Sequence, residues 1–364
     1  MAGRWALQAV PGVWHRRRWP GRGTTIARRE LNILFTCAGR RVALLEEFHR
    51  AMDALAVVGK LVATDMNAAS AALHAADVGE VVPPAGTVHY IPALQELCVK
   101  HGIGLLIPLT DLDLRSLARH RERFQAIGCE VMIGSPQTIM TCRDKTRTCR
   151  FLQQIGLPAI RTLTLGQFRA RPFFPCFIKP VRGSASVGTG VIHSEAELNA
   201  HLATFGDLML VQDYVPGAEY TLDIYRTRDG QVRCVVPRQR LLVRAGEVEK
   251  GLTVHDTELI EAGRKLGENL PELWGVINAQ CRRPPGGRAH FFEINPRFGG
   301  GAPLAIAAGA DLPRYVLQER LGMEVTAELG KFKPNLLMMR YDSAVYVEAQ
   351  NPQELPGFDT PRVR

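Results

Sequence analysis

Short apolar runs alternate with amphipathic stretches through the first third of the chain. The apolar runs predict four strands: Asn32–Thr36, Lys60–Thr64, Gly104–Pro108 and Glu130–Ile133. Between them, apolar residues recur at helical spacing in Arg41–Met52 and in Ile91–His101. Strands that alternate with helices are typical of a parallel sheet covered by helices, so this region predicts a doubly wound α/β domain.

Three polar segments follow these strands, at the edge where a doubly wound sheet binds ligands. They are residues 36–40, 64–65 and 110–113, and they contain Asp65, Asp111 and Asp113. These carboxylates could cap helices or contact a substrate, and the sequence favours neither interpretation. Gly39 stands alone in the first segment, which therefore lacks a G-x-G-x-x-G fingerprint and is more typical of a tight strand-to-helix turn.

A strand followed by a loop of small residues begins the second half of the chain. Phe177 and Ile178 predict a strand that presents Lys179, and the loop Gly183–Gly188 follows. Backbone N–H groups and hydroxyls in such a loop can wrap a polyphosphate. No G-K-[ST] closes the loop, so it is not a Walker A motif, and a flexible hairpin turn would explain it equally well in isolation.

The next segment, Leu210–Asp223, has a strand-turn-strand pattern with its turn at Pro216 and Gly217. Such a hinge offers backbone donors and acceptors to a flat base, and Glu219 just beyond the turn could accept a ribose hydroxyl. An exposed β-hairpin explains the same pattern nearly as well.

The segment His290–Gly301 carries the most chemical information. Strand periodicity places Glu293 and Asn295 on one face, with Phe292 and Ile294 on the other. Carboxylate and amide oxygens aimed together from a rigid strand are ligands that Mg²⁺ accepts beside phosphates. The pattern therefore favours a metal site over a solvated strand end.

Two more pairs of polar residues occur at strand spacing. Asn278 and Gln280 share a face of the predicted strand Gly275–Cys281 and could supply a further metal ligand. Arg238 and Arg240 also share a face, and they could clamp a carboxylate or an acyl phosphate through bidentate bonds. A solvated strand face would explain the two arginines equally well.

The order and spacing of these motifs resemble the ATP-grasp superfamily. The motifs are the I-K-P strand with its small-residue loop, the Q-D-Y-V-P-G-A-E-Y hinge and the E-I-N-P-R segment. Within the superfamily, the chain is similar to stand-alone relatives of the carbamoyl-phosphate synthetase large-subunit synthetase domain. The resemblance implies a doubly wound pre-ATP-grasp domain at residues 30–135 and an ATP-grasp domain at residues 136–330. The latter has a small α+β lid at about 160–212 and an α+β core, and residues 331–364 form a C-terminal segment.

The resemblance also implies which residues bind the nucleotide. Lys145 and Lys179 would contact its phosphates. Four small residues would close over the triphosphate: Gly183, Ser184, Ser186 and Gly188. Three hinge residues would line the adenine pocket: Gln212, Asp213 and Val215. Glu219 would bind the ribose. Asp213 stands where Glu is common in the family.

For the metal and the chemistry, the resemblance implies a further set. One or two Mg²⁺, for which Mn²⁺ could substitute, would be held by Gln280, Glu293 and Asn295. The transferred phosphoryl group or the substrate would be steadied by Arg297, Arg240 and Lys179. Lys, Arg and Mg²⁺ can neutralise the oxygens that meet during phosphoryl transfer without a covalent enzyme intermediate.

By this resemblance the chain is an ATP-dependent carboxylate–amine ligase. It would activate a small carboxylate as an acyl phosphate, which an amine attacks with release of ADP and phosphate. One alternative is a bicarbonate-activating carboxylase or a carbamoyl-phosphate-forming synthetase, although the chain lacks a duplicated synthetase, a biotin-carrier segment and a glutaminase segment. A second alternative is a non-enzymatic module that senses ATP or binds nucleic acid.

Charge argues against nucleic acid as a partner. The chain has 364 residues, 46% of them hydrophobic, and a net charge of +9. The first 29 residues contain seven arginines and no acidic residue, so the rest of the chain is close to neutral. This basic tail could be a disordered or mis-annotated extension, a targeting segment or a basic arm.

Cysteine usage and hydropathy complete the expectations. The eight cysteines form no C-x-x-C pair and no zinc-ligand spacing, which favours reduced thiols in the cytoplasm. No apolar run approaches the roughly 20 residues of a membrane-spanning helix. We therefore expect small-molecule partners, no membrane and no nucleic acid, and a homodimer would be compatible with the sequence.

Overall fold

The computed structural model describes residues 8–9, 29–181, 187–244 and 246–348. These residues form two compact units. The first comprises the described residues up to Met132, with Leu317–Glu324 and Asp342–Glu348, and the second comprises Ile133–Val316 and Val325–Tyr341. The predicted limits of the domains and of the lid stay predictions.

The first unit is built around a parallel sheet. Its elements, in chain order, are β1 (Gln8–Ala9), β2 (Arg29–Glu30), β3 (Asn32–Thr36), α1 (Val42–Ala54), β4 (Val57–Val58), β5 (Leu61–Asp65), α2 (Ala71–Ala75), β6 (Val78–Val81), α3 (Tyr90–Lys100), β7 (Ile103–Pro108), α4 (Leu114–Ala126) and β8 (Glu130–Val131). Five strands form the sheet in the order β6-β5-β3-β7-β8. Short ladders join β2 to β4, and β1 to the late strand β19 (Val347–Glu348).

Burial explains why the strands of this sheet read as apolar runs. In β3, Ile33, Leu34 and Phe35 are all fully buried, as expected for a parallel sheet covered on its faces. Helix α1 presents an apolar stripe to the sheet, and the ring of Phe48 meets that of Phe35 edge to face at 4.9 Å between centroids. The predicted α/β class is therefore confirmed for this unit.

The carboxylates beyond these strands serve the loops of the unit. Asp65 accepts hydrogen bonds from the backbone N–H of Gly39 at 2.9 Å and of Asn67 at 3.0 Å. Gly39 has a φ of +51°, which suits glycine and confirms the tight turn. Asp113 precedes α4 but makes no side-chain cap bond, and instead accepts from the hydroxyl of Tyr90 at 2.8 Å.

The second unit contains two antiparallel sheets with helices. Its elements are α5 (Pro136–Arg143), α6 (Lys145–Gln154), β9 (Thr162–Thr164), α7 (Leu165–Ala170), β10 (Cys176–Pro180), β11 (Gly190–Ile192), α8 (Glu195–Phe205), β12 (Met209–Asp213), β13 (Ala218–Arg226), β14 (Val232–Arg244), β15 (Glu247–Thr253), α9 (Thr257–Glu268), β16 (Gly275–Arg283), β17 (His290–Asn295), α10 (Ala302–Ala307), α11 (Leu312–Arg320) and β18 (Leu337–Met339). The residues of α11 from Leu317 onward are grouped with the first unit.

The smaller sheet has the strand order β11-β10-β12-β9. Its apolar face buries Ile178 and Val211 against Phe168 of α7 and Leu202 of α8. Because side chains alternate along a strand, the neighbours of Ile178 and Val211 point away from this core, and Lys179 and Gln212 are among them.

The larger sheet has the strand order β17-β16-β13-β14-β15-β18. One face is apolar, and Leu222, Ile277 and Ile294 pack there with Leu259 and Leu266 of α9 in a single buried cluster. The opposite face carries the alternate, polar positions of the same strands.

In the described part of the chain, no helix has the length and apolar character that a bilayer span requires.

Candidate functional site

Strand pairing places the predicted metal ligands in two adjacent rows on the polar face of the larger sheet. In the first row, Glu293 of β17 lies opposite Gln280 of β16, and Gln280 lies opposite Thr221 of β13. In the second row, Asn295 lies opposite Asn278. Directly opposed residues of antiparallel strands share a face, with Cβ atoms about 5 Å apart. The expected sharing of a face by Asn278 and Gln280 and by Glu293 and Asn295 is thus found.

One detail of the predicted alternation was wrong. Phe292 was expected on the face opposite to Glu293, but the residues of β17 in the apolar cluster are Phe291 and Ile294. Cys281 pairs with Phe291 and Gln280 pairs with Glu293, so Phe292 is an extra residue in a β-bulge. The bulge leaves Phe292 half-buried beside Lys179, whose Nζ lies 5.5 Å from the ring centroid.

Lys179, on the smaller sheet, brings a positive charge close to the rows of predicted metal ligands on the larger sheet. Its side chain, on β10, is only 6% exposed. Burial lowers the pKa of Lys179 to about 8, Glu293 opposes this shift by favouring the ammonium, and Lys145 adds to it by repulsion. The charges of Glu293 on β17 and of Lys145 on α6 therefore both act on Lys179.

Lys145 is placed by the start of a helix. The carboxylate of Asp144 caps α6, accepting from the backbone N–H of Thr146 at 2.9 Å and of Arg147 at 3.1 Å. Lys145 is the first residue of that helix and is half-buried. A lysine at a helix N-terminus adds its charge to the positive end of the helix dipole, which suits a phosphate.

The donor set at Glu293 fits a hard divalent cation. Asn295 is 5% exposed, and its Nδ2 donates to Oδ1 of Asn278 at 3.3 Å. Because the amide nitrogen of Asn295 points at Asn278, its Oδ1 points away from Asn278. Together with Gln280, the set comprises one carboxylate and two amide oxygens, which suits Mg²⁺ or Mn²⁺. Among the described residues, no group of three His, Cys, Asp or Glu side chains forms an alternative metal site.

Arg240 and Glu219, to which the resemblance gives separate roles, form an ion pair with each other. The carboxylate of Glu219 contacts Nε of Arg240 at 2.9 Å and Nη2 of Arg282 at 2.9 Å. Burial lowers the pKa of Arg240, and Glu219 counteracts that shift. The predicted ribose ligand is therefore held by two arginines, and the predicted phosphoryl-binding arginine is one of them.

The hinge joins the two sheets of the unit, from β12 to β13. Gln212 is 2% exposed and donates to the hydroxyl of Thr162 at 2.7 Å. The carboxylate of Asp213 is gripped by Arg161, with a shortest distance of 2.7 Å. Gly217 has a φ of +102°, and a Cβ there would lie 2.3 Å from the carbonyl oxygen of Arg283, so only glycine fits. Val215, just before this turn, is half-buried.

The small-residue loop is described only at its end. Gly183, Ser184 and Ser186 lie outside the described residues. Gly188 has a φ of +68°, and a Cβ there would approach Pro180 Cγ within 3.2 Å. The roles predicted for this loop stay predictions.

Arg297 follows the predicted metal ligands in the sequence and lies next to them. Its Nη2 is 3.5 Å from Oδ1 of Asn295, and its backbone N–H donates to the carbonyl of Asn295 at 2.8 Å. Its Nη1 donates to the carbonyl of Phe298 at 3.0 Å. The guanidinium is thus held beside the oxygen donors.

Asp223 and Arg238 form a buried ion pair that the sequence did not predict. Arg238 was expected to clamp a substrate or to face solvent, yet it is 1% exposed and bound to Asp223, which is 0% exposed. Neither position was identified as a buried ion pair. The period-2 polar residues Glu219, Thr221 and Asp223 on β13 were the signal that could have revealed it.

Two segments of the chain match known sequence families. Residues 205–342 match the family described as "ATP-grasp in the biosynthetic pathway with Ter operon". Residues 33–132 match the family described as "PylC-like, N-terminal domain". The first match covers the larger sheet with its polar face, and the second covers the parallel sheet.

Curated ligases are similar to part of the chain. It is 30% identical over 174 residues to D-alanine--D-alanine ligase of Thermotoga sp. (strain RQ2), covering 43% of this chain and 57% of that protein. It is 30% identical over 174 residues to 3-methyl-D-ornithine--L-lysine ligase of Methanosarcina acetivorans, covering 45% of this chain and 42% of that protein. The chain therefore spans about half the length of these relatives.

A solved structure extends the likeness in fold. Biotin carboxylase from Campylobacter jejuni, in complex with β,γ-ATP, superposes with a TM-score of 0.66 at 16% identity, over 84% of this chain and 74% of that chain. At this level of identity the similarity concerns the fold.

Proposed function

Because the chain belongs to the ATP-grasp superfamily, we propose that it is an ATP-dependent ligase that joins a small carboxylate to an amine. The observation that carries the proposal is the row of Glu293 and Gln280 beside Asn295 on the polar face of the larger sheet, with the buried Lys179 reaching the neighbouring Phe292. Cations for phosphates and oxygen donors for Mg²⁺ meet there, as phosphoryl transfer from ATP requires.

The proposed reaction has two steps. A carboxylate oxygen of the substrate attacks the γ-phosphorus of ATP, and ADP leaves with the electron pair of the broken P–O bond. The amine then attacks the acyl carbon, phosphate leaves with the electron pair of the C–O bond, and the nitrogen loses a proton. Both steps crowd negative oxygens together, so fixed positive charge lowers both barriers.

In this proposal Lys145 and Lys179 bind the phosphates. A bound triphosphate favours the ammonium of Lys179 and so reverses the lowering of its pKa. The loop of Gly183, Ser184, Ser186 and Gly188 closes over the triphosphate. Closure excludes water, which would otherwise hydrolyse the acyl phosphate before the amine arrives.

Gln280, Glu293 and Asn295 would hold one or two Mg²⁺, or Mn²⁺ in its place. When bound, the metal would neutralise charge on the phosphate oxygens. The residues of the chain that hold these ligands in position are Asn278 and the backbone after Asn295.

Gln212, Asp213 and Val215 line the adenine pocket in the proposal, and Glu219 accepts the ribose hydroxyls. Glu219 can keep its bond to Arg282 while it does so. Arg240, released from Glu219, then contacts the transferred phosphoryl group together with Arg297 and Lys179.

The names of the two curated relatives support an amino acid as at least one of the substrates, since each is a ligase of amino acids. We also propose that the protein acts in the cytoplasm on small molecules, as a monomer or a homodimer, without a nucleic-acid or membrane partner.

The proposal is tested by incubating the full chain with MgATP and pools of carboxylates and amines while ADP and phosphate are measured. We expect ADP release that requires both pools and a product whose mass equals carboxylate plus amine minus water. ADP release that needs bicarbonate instead would indicate a bicarbonate-activating enzyme. Tight ATP binding without turnover in any pool would overturn the ligase assignment in favour of an ATP sensor.

A further inference from the structure

A fully buried ion pair lies in the polar face, beside the rows that hold the metal-ligand set. Asp223 of β13 is 0% exposed and Arg238 of β14 is 1% exposed. The guanidinium grips the carboxylate with two bonds, Nε to Oδ2 at 2.5 Å and Nη2 to Oδ1 at 3.0 Å. Asp223 is also the cross-strand partner of Asn278, which lies opposite Asn295.

The pair supports the glycine loop that follows Arg297. At Gly301 the φ is −97°, so the backbone itself does not require glycine. A Cβ there would nevertheless lie 2.3 Å from Nη1 of Arg238 and 2.5 Å from Cγ1 of Val248. At Gly299 a Cβ would lie 3.4 Å from Oδ1 of Asp223. The loop is therefore packed directly on both members of the pair.

Asn278 connects the pair to the metal-ligand set. Its Nδ2 donates to the carbonyl of Arg297 at 3.0 Å, and its Oδ1 accepts from Nδ2 of Asn295 at 3.3 Å. A Cβ at Gly299 would lie 3.3 Å from the same Nδ2. The loop at Gly299 therefore lies against both Asp223 and Asn278, and the amide of Asn278 is bonded to that of Asn295.

The pair is a costly way to fill this space. Nη1 of Arg238 is buried and has no hydrogen-bond partner among the described residues. A buried donor without a partner destabilises a fold, and apolar residues of similar volume often replace a buried ion pair without loss of stability. A role in stability alone therefore does not account for Arg238, whereas a role in geometry does.

We propose that Asp223 and Arg238 are positioning residues that set the Gly299–Gly301 loop and, through Asn278, the orientation of Asn295 toward the metal. The inference rests on the proposed function, because it assumes the metal site at Glu293 and Asn295. Neither residue touches substrate in this proposal, and their effect is on metal-dependent nucleotide binding.

The test measures the affinity for ADP with and without Mg²⁺ by titration calorimetry, which needs no knowledge of the carboxylate or the amine. For the wild type we expect Mg²⁺ to tighten ADP binding. In Arg238→Lys, which keeps the charge but loses the two-bond grip, we expect this tightening to shrink by about 10-fold or more, the range for residues that support metal ligands. ADP affinity without metal should be unchanged.

Two further variants and two controls keep the test decisive. Asp223→Leu/Arg238→Met removes both charges and leaves no unpaired ion, so the fold can persist while the metal effect is lost. Gly301→Ala should reproduce the loss from the loop side. Arg233→Met is the matched control, since Arg233 is exposed on the same strand. Gly166→Ala is the glycine control, because a Cβ at Gly166 meets nothing within 4 Å.

Each outcome is informative once thermal unfolding has identified the folded variants. If folded Arg238→Lys and Gly301→Ala keep the full Mg²⁺ effect, the positioning role is overturned. If Mg²⁺ leaves ADP binding of the wild type unchanged, the metal site of the proposed function fails instead. If the controls lose the effect as strongly as the variants, the loss is general and the inference is wrong.

Discussion

Among the described residues, each of the two units buries one carboxylate completely, and the two carboxylates have different partners. Asp113 is 0% exposed, and the partners that the structure shows are neutral: the hydroxyl of Tyr90 at 2.8 Å and the thiol of Cys37 at 3.7 Å. Asp223 is also 0% exposed, but its partner is the guanidinium of Arg238.

The neutral partners leave the burial of Asp113 without a compensating positive charge. Burial raises the pKa of Asp113, and it raises the pKa of Cys37 to about 12. At Asp223 the two-bond grip of a guanidinium takes the place of such neutral partners. The first unit thus surrounds its buried carboxylate with a hydroxyl and a thiol, while the second pairs its buried carboxylate with an arginine beside the candidate metal site.

The largest expected effect is on catalysis, where a change at the candidate metal site of the second unit should matter and a change at Asp113 of the first unit should not. Glu293→Ala should lower ADP formation by more than about 100-fold, because a metal ligand matters more than the residues behind it, whose loss costs 10- to 100-fold. Steady-state ADP release checks this. Glu261→Ala, on the surface of α9, is the matched control for Glu293→Ala and should keep the rate of the wild type. Asp113→Asn, in the other unit, should leave ADP binding unchanged. Turnover like that of the wild type in Glu293→Ala would refute the metal assignment.

The next effect concerns stability. Asp223→Asn leaves the guanidinium of Arg238 buried without its counterion, which should cost about 3 to 5 kcal/mol. Asp113→Asn places an amide of the same shape among the same neutral partners and should cost about 1 kcal/mol. Urea denaturation of both variants measures the two values. Equal losses would mean that the arginine partner of Asp223 makes no difference to stability.

A third effect uses the lowered pKa of Lys179. Below pH 8 the free enzyme already carries the ammonium, whereas above pH 8 it must take up a proton to bind ATP, so affinity should fall up to about tenfold per pH unit. Lys179→Ala should weaken binding at pH 7 by about tenfold. Lys179→Arg keeps the charge and should remove the inflection near pH 8. The measurement is a series of ATP titrations from about pH 6.5 to about pH 9.5, which extends roughly one and a half units on either side of the pKa of Lys179.

The smallest effect is the pH dependence of stability from Asp113. Its pKa in the folded chain lies above the value of 3.8 for an exposed Asp, so the folded state keeps a proton that the unfolded chain has released. The free energy of unfolding should therefore fall as pH rises from about 3.9 toward the raised pKa. Asp113→Asn should lack this component. A slope in the variant equal to that of the wild type would contradict the raised pKa of Asp113.

Local periodicity made much of the architecture predictable. Apolar runs gave β3, β5 and β7 to within about one residue, and the turn at Gly39 followed from a single glycine after a strand. Glu293 and Asn295 could be assigned to one face because alternation is a property of the strand itself. Lys179 and the hinge glycine Gly217 were likewise visible as motifs.

Contacts between distant residues were not predictable in the same way. That Lys179 acts on Glu293 depends on how β10 and β17 are brought together, across more than a hundred residues of chain. The bulge at Phe292 arises from the pairing of β17 with β16 and leaves no trace in the alternation of one strand.

The amino-acid sequence by itself determined the α/β class, the elements and the types of residue available for phosphate and metal, because propensity and periodicity act over a few residues. Only the tertiary structure decided that Arg238 is buried on Asp223, that Glu219 is held by two arginines and that Asp113 lies among neutral donors. The physical reason is that burial and charge pairing depend on cross-strand register and packing, which join residues far apart in the chain.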